Sequence, residues 1–475
     1  MQYLTLRMGR LTWWLASCLA VLFVFEEAIY GRFTLSPLMY MLGKTASELI
    51  LYMILMLVAL NRVAQGKIMR YVPTAFDICI VSFVALSVMS TFVNHGDLIA
   101  VALNIRTMLR YVTIYYIVVF SCWRPTENQI SKFVGLLIAI ALFQSALAGL
   151  QHFVGDDFTG RYFSSAKVEV TVGGIANLLN AMEKKIGAGI GTFGKTAPLA
   201  FFLLLADVLV IAYAMTRQRR SQRWMWWLAY LEITAGIFFS YKRGPLLLAL
   251  TAPLLVAWFL RKRVFVRAYL FVTLLAIPVV LSTVMAMSSA QYTNEKEEEI
   301  SPLQSMAQLF TVEYWNRSVS KSRGWMILEV GSEALTSFKP LGYGADEEHA
   351  KAALAERGGS FGKLVGWGAF DDVYLVAGLV YYGPVGVLLL LFAFYTVYRH
   401  ARKLTYGAGV FKVAGATLAT VLILTFIGSF LVRTLEFRAF AFCLFYLAGV
   451  VTVTTPGHKL FADGRSTAGP VCAAQ

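Results

Sequence analysis

The sequence predicts an all-α membrane protein: a bundle of about twelve transmembrane helices with one long outer loop between spans nine and ten. Three observations carry that prediction. The 475-residue chain is 58% hydrophobic and only 15% charged, where a soluble domain carries roughly a quarter charged residues. Apolar runs of about 18 residues or more recur along the whole length, each long enough to cross a bilayer as a helix. Arginine and lysine gather in short clusters between those runs, and every second connection is basic. Such clusters orient spans, so the formal net charge of +15 reads as topology, and no nucleic-acid partner is expected.

The first run opens near Leu11 behind Arg7 and Arg10. It has the basic flank of a signal peptide, but Glu26-Glu27 stands where a small-residue cleavage site would follow, so it reads as an uncleaved span. Further spans open near Ala46, Thr74, Leu98, Phe133, Pro198, Met225, Pro245, Ala268, Val373, Val410 and Ala439. Basic clusters at Arg62/Lys67/Arg70, Arg124/Lys132, 217–223, 261–267, 399–403 and Lys459/Arg465 fall on one side. By the positive-inside rule that side is the cytoplasm, with both termini inside. The expected organisation is nine spans in 1–287, an outer loop over 288–372, three spans in 373–455 and a cytoplasmic tail over 456–475.

Two outer segments exceed simple turns, and long ordered loops are commonly functional. Residues 154–197 end in the glycine-rich "GAGIGTFGK". Residues 288–372 hold an acidic "NEKEEE", an aromatic "FTVEYWNR" and a helical pattern from Ser322 to Ser337.

The motifs of soluble enzymes are absent: no P-loop, no nucleophile elbow, no HExxH. The five cysteines lack disulfide or metal spacing, and His95, His152, His349, His400 and His458 are scattered, so no metal or cofactor is expected. What stands out is cationic and external. Lys242 and Arg243 sit in a very short outer turn, on the side that the positive-inside rule disfavours. Arg161, Arg323, Arg433 and Arg438 are further outer arginines, although a lone arginine at a span end often only snorkels to the interface. The arginine fork matches phosphate oxygens in a bidentate way, so several converging at headgroup depth would suit a lipid-linked diphosphate.

Inside the fourth run, Arg106 and Arg110 share one helix face. Intramembrane charges are functional candidates; the structural alternative pairs these two with Asp77 or Glu26/Glu27. Asp207 and Glu232 read as lone carboxylates bonding across helices. Asp371-Asp372 closes the long outer loop and opens a span. One carboxylate there can cap the helix, and the pair also offers a general base for an attacking sugar hydroxyl.

Four local motifs, in order, give the chain a resemblance to the O-antigen ligase and polymerase family of bacterial membrane glycosyltransferases. They are "GTFGKTAPLA" (Gly191 to Ala200), "YKRGPLLLAL" with Arg243, the arginine-led stretch from Arg323 to "KPLGYG" (Lys339 to Gly344), and "DDVYL" (Asp371 to Leu375) followed by "YYGPVGVLLLL". The second half of the chain resembles the family well, and the first half only by span count. Lys195 and Thr196 stand where the family has asparagine and proline, and Asp371-Asp372 where it has histidine and asparagine. The histidine is characteristic of ligases, so the resemblance falls on the polymerase side, with His349 a spatial substitute to weigh.

The resemblance implies a GT-C-like, metal-independent enzyme of the bacterial inner membrane, working on the periplasmic face without a cofactor. It implies transfer of glycan from undecaprenyl diphosphate to an acceptor sugar, with Asp371, Asp372, Arg243 and Arg323 catalytic. Lys242, Arg243, Arg323, Arg161, Lys195, Arg106 and Arg110 are the expected contacts to the lipid-linked diphosphate sugar. Membrane lipid, a chain-length regulator and a flippase are the implied partners. The alternatives are an O-antigen ligase acting on lipid A core and, from another class, a lipid-linked oligosaccharide flippase or transporter.

Overall fold

The computed structural model describes residues 2–33, 37–65, 71–121, 124–155, 158–159, 162–163, 168–172, 175–179, 188–217, 220–272, 327–328, 331–336, 339–356, 373–430 and 432–456. In chain order these form α1 (Gln2–Phe33), α2 (Pro37–Ala64), α3 (Ala75–Val93), α4 (Leu98–Leu109), α5 (Val112–Ser121) and α6 (Glu127–Val154). An antiparallel pair follows, β1 (Val168–Val172) with β2 (Ile175–Leu179), in register Val170 to Asn177. Then come α7 (Thr196–Thr216), α8 (Arg220–Phe239), α9 (Arg243–Phe259), α10 (Gly331–Thr336), α11 (Glu347–Ala355), α12 (Tyr374–Leu404), α13 (Gly409–Gly428), a 3-10 turn (Thr434–Glu436) and α14 (Arg438–Thr454).

The protein is a helical membrane bundle. Among the described residues, seven helices are long and apolar enough to span a bilayer: α1, α2, α3, α6, α7, α12 and α13. An eighth is the pair α4–α5, bent by 61°. The sequence treats that pair as one straight span. The bend separates two chemistries: α4 carries Asn104, Arg106 and Thr107, whereas α5 is apolar and buried. The apolar α9 and α14 are shorter, at 17 residues each. The run expected near Ala268 falls on a helix that is described from 263 to 272.

Helix starts follow local chemistry. Asp77 accepts from the Thr74 amide at 2.6 Å and from Tyr71 Oη at 2.7 Å, while Thr74 Oγ1 accepts from the Asp77 amide. This capping box fixes the entry to α3. Burial, followed by the Asp77 carboxylate, pushes the Tyr71 hydroxyl well above its ordinary pKa, so it remains a donor. A second box, Thr126 with Gln129, opens α6.

α7 forms the centre, with α6, α8, α9, α13 and α14 around it. Its one carboxylate, Asp207, is fully buried and accepts from Thr234 of α8 at 3.3 Å. Peripheral helices are apolar outward: on α2, Met53, Met56, Leu57 and Leu60 are all at least half exposed. In water such a stripe would drive association, whereas in a bilayer it meets lipid.

Contacts sort the connections into two ends. At the basic end, buried Arg62 donates to the last carbonyls of α5, Phe120 O (2.5 Å) and Ser121 O (2.6 Å), and Trp13 Nε1 reaches Gln129 O. Arg261 lies 3.9 Å from the Tyr406 ring centroid at the same end. At the opposite end, the Gly189 amide donates to Phe239 O, Thr192 Oγ1 to Val24 O, and Arg438 reaches Glu26.

α12 breaks at Gly383 (φ 66°) before Pro384, and the chain repairs the break with the "KPLGYG" turn. Proline has no amide to give Val380 O, and Val385 N turns away to Pro340 O. Val380 O and Tyr381 O instead accept from Tyr343 N (2.8 Å) and Gly344 N (3.1 Å). The two backbones nearly touch: a Cβ on Gly383 would sit 2.2 Å from Pro340 O, and one on Gly342 2.5 Å from Gly383 N. Gly383→Ala is therefore expected to cost about 1–3 kcal/mol in strained backbone alone, read as a lower thermal midpoint in detergent. Gly378→Ala is the control, because its added carbon meets only an ordinary 3.4 Å contact.

Candidate functional site

At the end opposite the basic clusters, three helix starts carry cations. The first follows the glycine loop over 188–195, which two glutamines of α6 hold in place. Gln151 Oε1 accepts from the amides of Ile190 (2.8 Å) and Gly191 (2.7 Å), and its Nε2 donates to Gly191 O at 3.0 Å. Gln144, two turns earlier on the same face, accepts from the Thr192 amide at 2.9 Å and donates to Thr192 Oγ1 at 2.8 Å. Both glutamines are fully buried, so every amide hydrogen bond they make counts toward satisfying a water-free interior. Glycine is required where the loop meets α6: a Cβ on Gly189 would lie 2.6 Å from Ala148 O. Lys195 is the N-cap of α7, exposed, with no side-chain cap.

Lys242 and Arg243 supply the second start, as N-cap and first residue of α9. Tyr241 before them has left-handed φ of 57°, and its hydroxyl lies 3.3 Å from His152 Nδ1, whose ring stacks on Phe239. The Gly189 to Phe239 hydrogen bond joins this turn to the glycine loop. A helix N-terminus carries partial positive charge, so cations placed there add to the field and leave both turns suited to an anion.

The third start is Arg438, the first residue of α14, and here acids answer it. Arg438 pairs with Glu26 at 2.5 Å and with Glu48 at 3.5 Å. Glu48, 2% exposed, also holds Arg106 (2.5 Å) and Arg110 (2.9 Å), and Lys44 pairs with Glu27 at 2.5 Å. Arg110 Nη2 donates to Glu436 O at 3.0 Å, and Arg433 binds Glu347 and Glu436. This network ties α1, α2, α4, α11 and α14 together. The structural alternative for Arg106 and Arg110 named Asp77 or Glu26/Glu27 as partners; their carboxylate is Glu48, and Asp77 is occupied as the cap of α3. Arg106 is 43% exposed at its side chain and Arg110 12%, so only Arg106 presents a sizeable open face.

Loop 339–346 is sewn to the same end. Ser90 Oγ donates to Leu341 O (2.6 Å), Ala345 N to Thr91 Oγ1 (2.8 Å), Asn104 Nδ2 to Ala345 O (3.0 Å) and Asp97 N to Asp346 Oδ2 (2.9 Å). Asp346 also caps α11 at His349 N. Arg161, Arg323, Asp371 and Asp372 lie outside the described residues. Val373, next after the aspartate pair, is buried, and Leu375 N donates to Ser429 O.

The structure thus joins the Lys195 loop and the Lys242–Arg243 turn, and puts Arg106 and Arg110 in a separate, internally paired cluster. Sequence reasoning missed Gln144, Gln151 and Glu48, and set His152 aside as one of five scattered histidines. The glutamines carried a usable signal, being seven apart on one face of an apolar helix. No model of a known protein family and no curated protein matches the chain.

Proposed function

We propose that this chain is a membrane glycosyltransferase of the bacterial inner membrane: a polymerase of surface polysaccharide, of O-antigen or exopolysaccharide type. It transfers glycan from undecaprenyl diphosphate to an acceptor sugar on the periplasmic face. The twelve-span topology, the outer loop over 288–372 and cytoplasmic termini belong to this proposal. One observation carries it: the Lys242–Arg243 turn and the Lys195 loop are hydrogen-bonded neighbours, and each opens a helix. Two of the sequence motifs that suggested diphosphate binding therefore share one end of the bundle.

In the proposed step, the acceptor hydroxyl oxygen bonds to the anomeric carbon of the donor. The carbon–oxygen bond to the lipid diphosphate breaks, and its electron pair leaves with the diphosphate. Arg243, Lys242, Lys195 and Arg323 stabilise the charge developing there. Asp371 accepts the hydroxyl proton. The diphosphate-linked donor carries the energy, so no nucleotide is needed. A transporter would place its charges around a central cavity, as Arg106 and Arg110 with Asp77 would allow. The closed pairs to Glu48 and the capping role of Asp77 weigh against it.

The aspartates give a sharp test. A positioned base typically contributes about a hundredfold to ten-thousandfold, whereas a helix cap is worth about 1 kcal/mol and asparagine replaces it well. Asp371→Asn is therefore expected to lose most chain elongation at normal protein level, and Asp372→Asn to be milder. Purified variants given lipid-linked repeats supply the rates. Elongation by Asp371→Asn at the unmodified rate would move the base elsewhere, with His349 next in line.

A further inference from the structure

A second basic feature lies at the other end of the bundle and takes no part in the proposed transfer. Between the ends of α6, α7, α9 and α13 is a cavity of about 440 Å³. Arg217, Lys262 and Lys412 line it, against a single carboxylate, Glu127. None of these four forms an ion pair with another described residue. The cavity also receives the first turn of α13. Ala408 gives that helix no side-chain cap, and Gly409 has left-handed φ of 64°. A carbon built on Gly409 would lie 2.3 Å from Glu127 Oε1, so the only lining carboxylate stands beside the first residue of α13. Tyr213 lines the cavity with its ring under Arg217.

We infer that this cavity is a binding site for a phosphate-class anion. Cationic side chains and the amides of a helix start are donors that phosphate oxygens use. Basic loops at a span boundary ordinarily just orient the chain, but here three of their cations line one concave volume with a single carboxylate. Two sources offer the anion: the phosphodiester of an anionic lipid, or free phosphate. The location favours the lipid, because basic pockets between spans hold anionic headgroups and Val264, two residues beyond Lys262, is 82% exposed.

The test titrates the purified full-length chain in neutral detergent with phosphatidylglycerol, phosphatidylcholine of the same acyl length, or inorganic phosphate, and follows the thermal midpoint. A saturable rise with phosphatidylglycerol and none with phosphatidylcholine is expected. Combining Arg217→Gln, Lys262→Gln and Lys412→Gln should weaken that apparent affinity by about tenfold or more. Because that variant removes basic topology signals, Glu127→Gln provides the second arm. It leaves every cation in place, removes the one negative charge that lines the cavity, and should tighten anion binding by about threefold to tenfold. A saturable rise with inorganic phosphate that follows the same variants also supports the site, and makes free phosphate its source. The inference is overturned if neither anion gives a saturable rise, or if Glu127→Gln binds both no more tightly than the unmodified chain.

Discussion

Arg243→Ala is expected to abolish polymer while the protein still inserts and accumulates normally. Arg243 is the first residue of α9, in a turn pinned by His152 through Tyr241 and by the glycine loop through Phe239. Its backbone is therefore set at the bundle end before any ligand arrives, which lowers the ordering cost to be met on binding. Losing one donor to a developing oxyanion typically lowers rates about a hundredfold to a thousandfold, enough to remove long chains from a glycan profile. Arg243→Lys should recover only part of the activity, since an ammonium supplies charge without the bidentate fork. Arg323→Ala should behave alike if it holds the same diphosphate. Normal chain length from both alanine variants would refute the assignment.

Removal of Glu48 is expected to act on stability first. Glu48 is a nearly inaccessible carboxylate that touches Arg106, Arg110 and Arg438. Without it, the guanidinium groups of Arg110 and Arg438, at most 20% exposed, and the more open Arg106 keep among the described residues only the carboxylate of Glu26, against Arg438. Breaking a buried pair by removing one partner costs about 3–5 kcal/mol, because the remaining charge stays buried. Glu48→Ala should therefore lower the thermal midpoint steeply and reduce the amount of inserted protein. Adding Arg110→Met should restore part of the loss, as expected for directly coupled residues. Equal and additive losses from the two single changes would show that Glu48 does not neutralise Arg110.

The contrast between these residues shows what the sequence made legible. The seven long apolar helices were visible because membrane helices must satisfy their backbone internally and show lipid an apolar surface, as α2 does with Met53, Met56 and Leu57. The glycines of "KPLGYG" and of "GTFGK" were visible as motifs, but their purpose was not. Gly342 and Gly383 are glycines because two backbones cross there, a contact between positions far apart in the chain. Arg106 and Arg110 were legible as one face of a helix, whereas Glu48 lay unremarked in the apolar run "ASELILYM". Which of several lone acids meets which arginine depends on helix packing, and periodicity does not encode packing partners. The bend between α4 and α5 was hidden for a related reason: both halves are apolar enough to read as one span.

The central claim is that the end of the bundle holding Lys195, Lys242 and Arg243 transfers sugars from a lipid diphosphate. It is tested most directly by reconstituting the purified chain in liposomes with undecaprenyl-diphosphate-linked repeats isolated from a strain lacking the protein, and following glycan length and free lipid diphosphate together. The expected result is a ladder of longer chains, one lipid diphosphate released per bond formed, no nucleotide sugar required, and no ladder from Arg243→Ala. Single repeats that stay single, or that only cross the bilayer, would contradict the account.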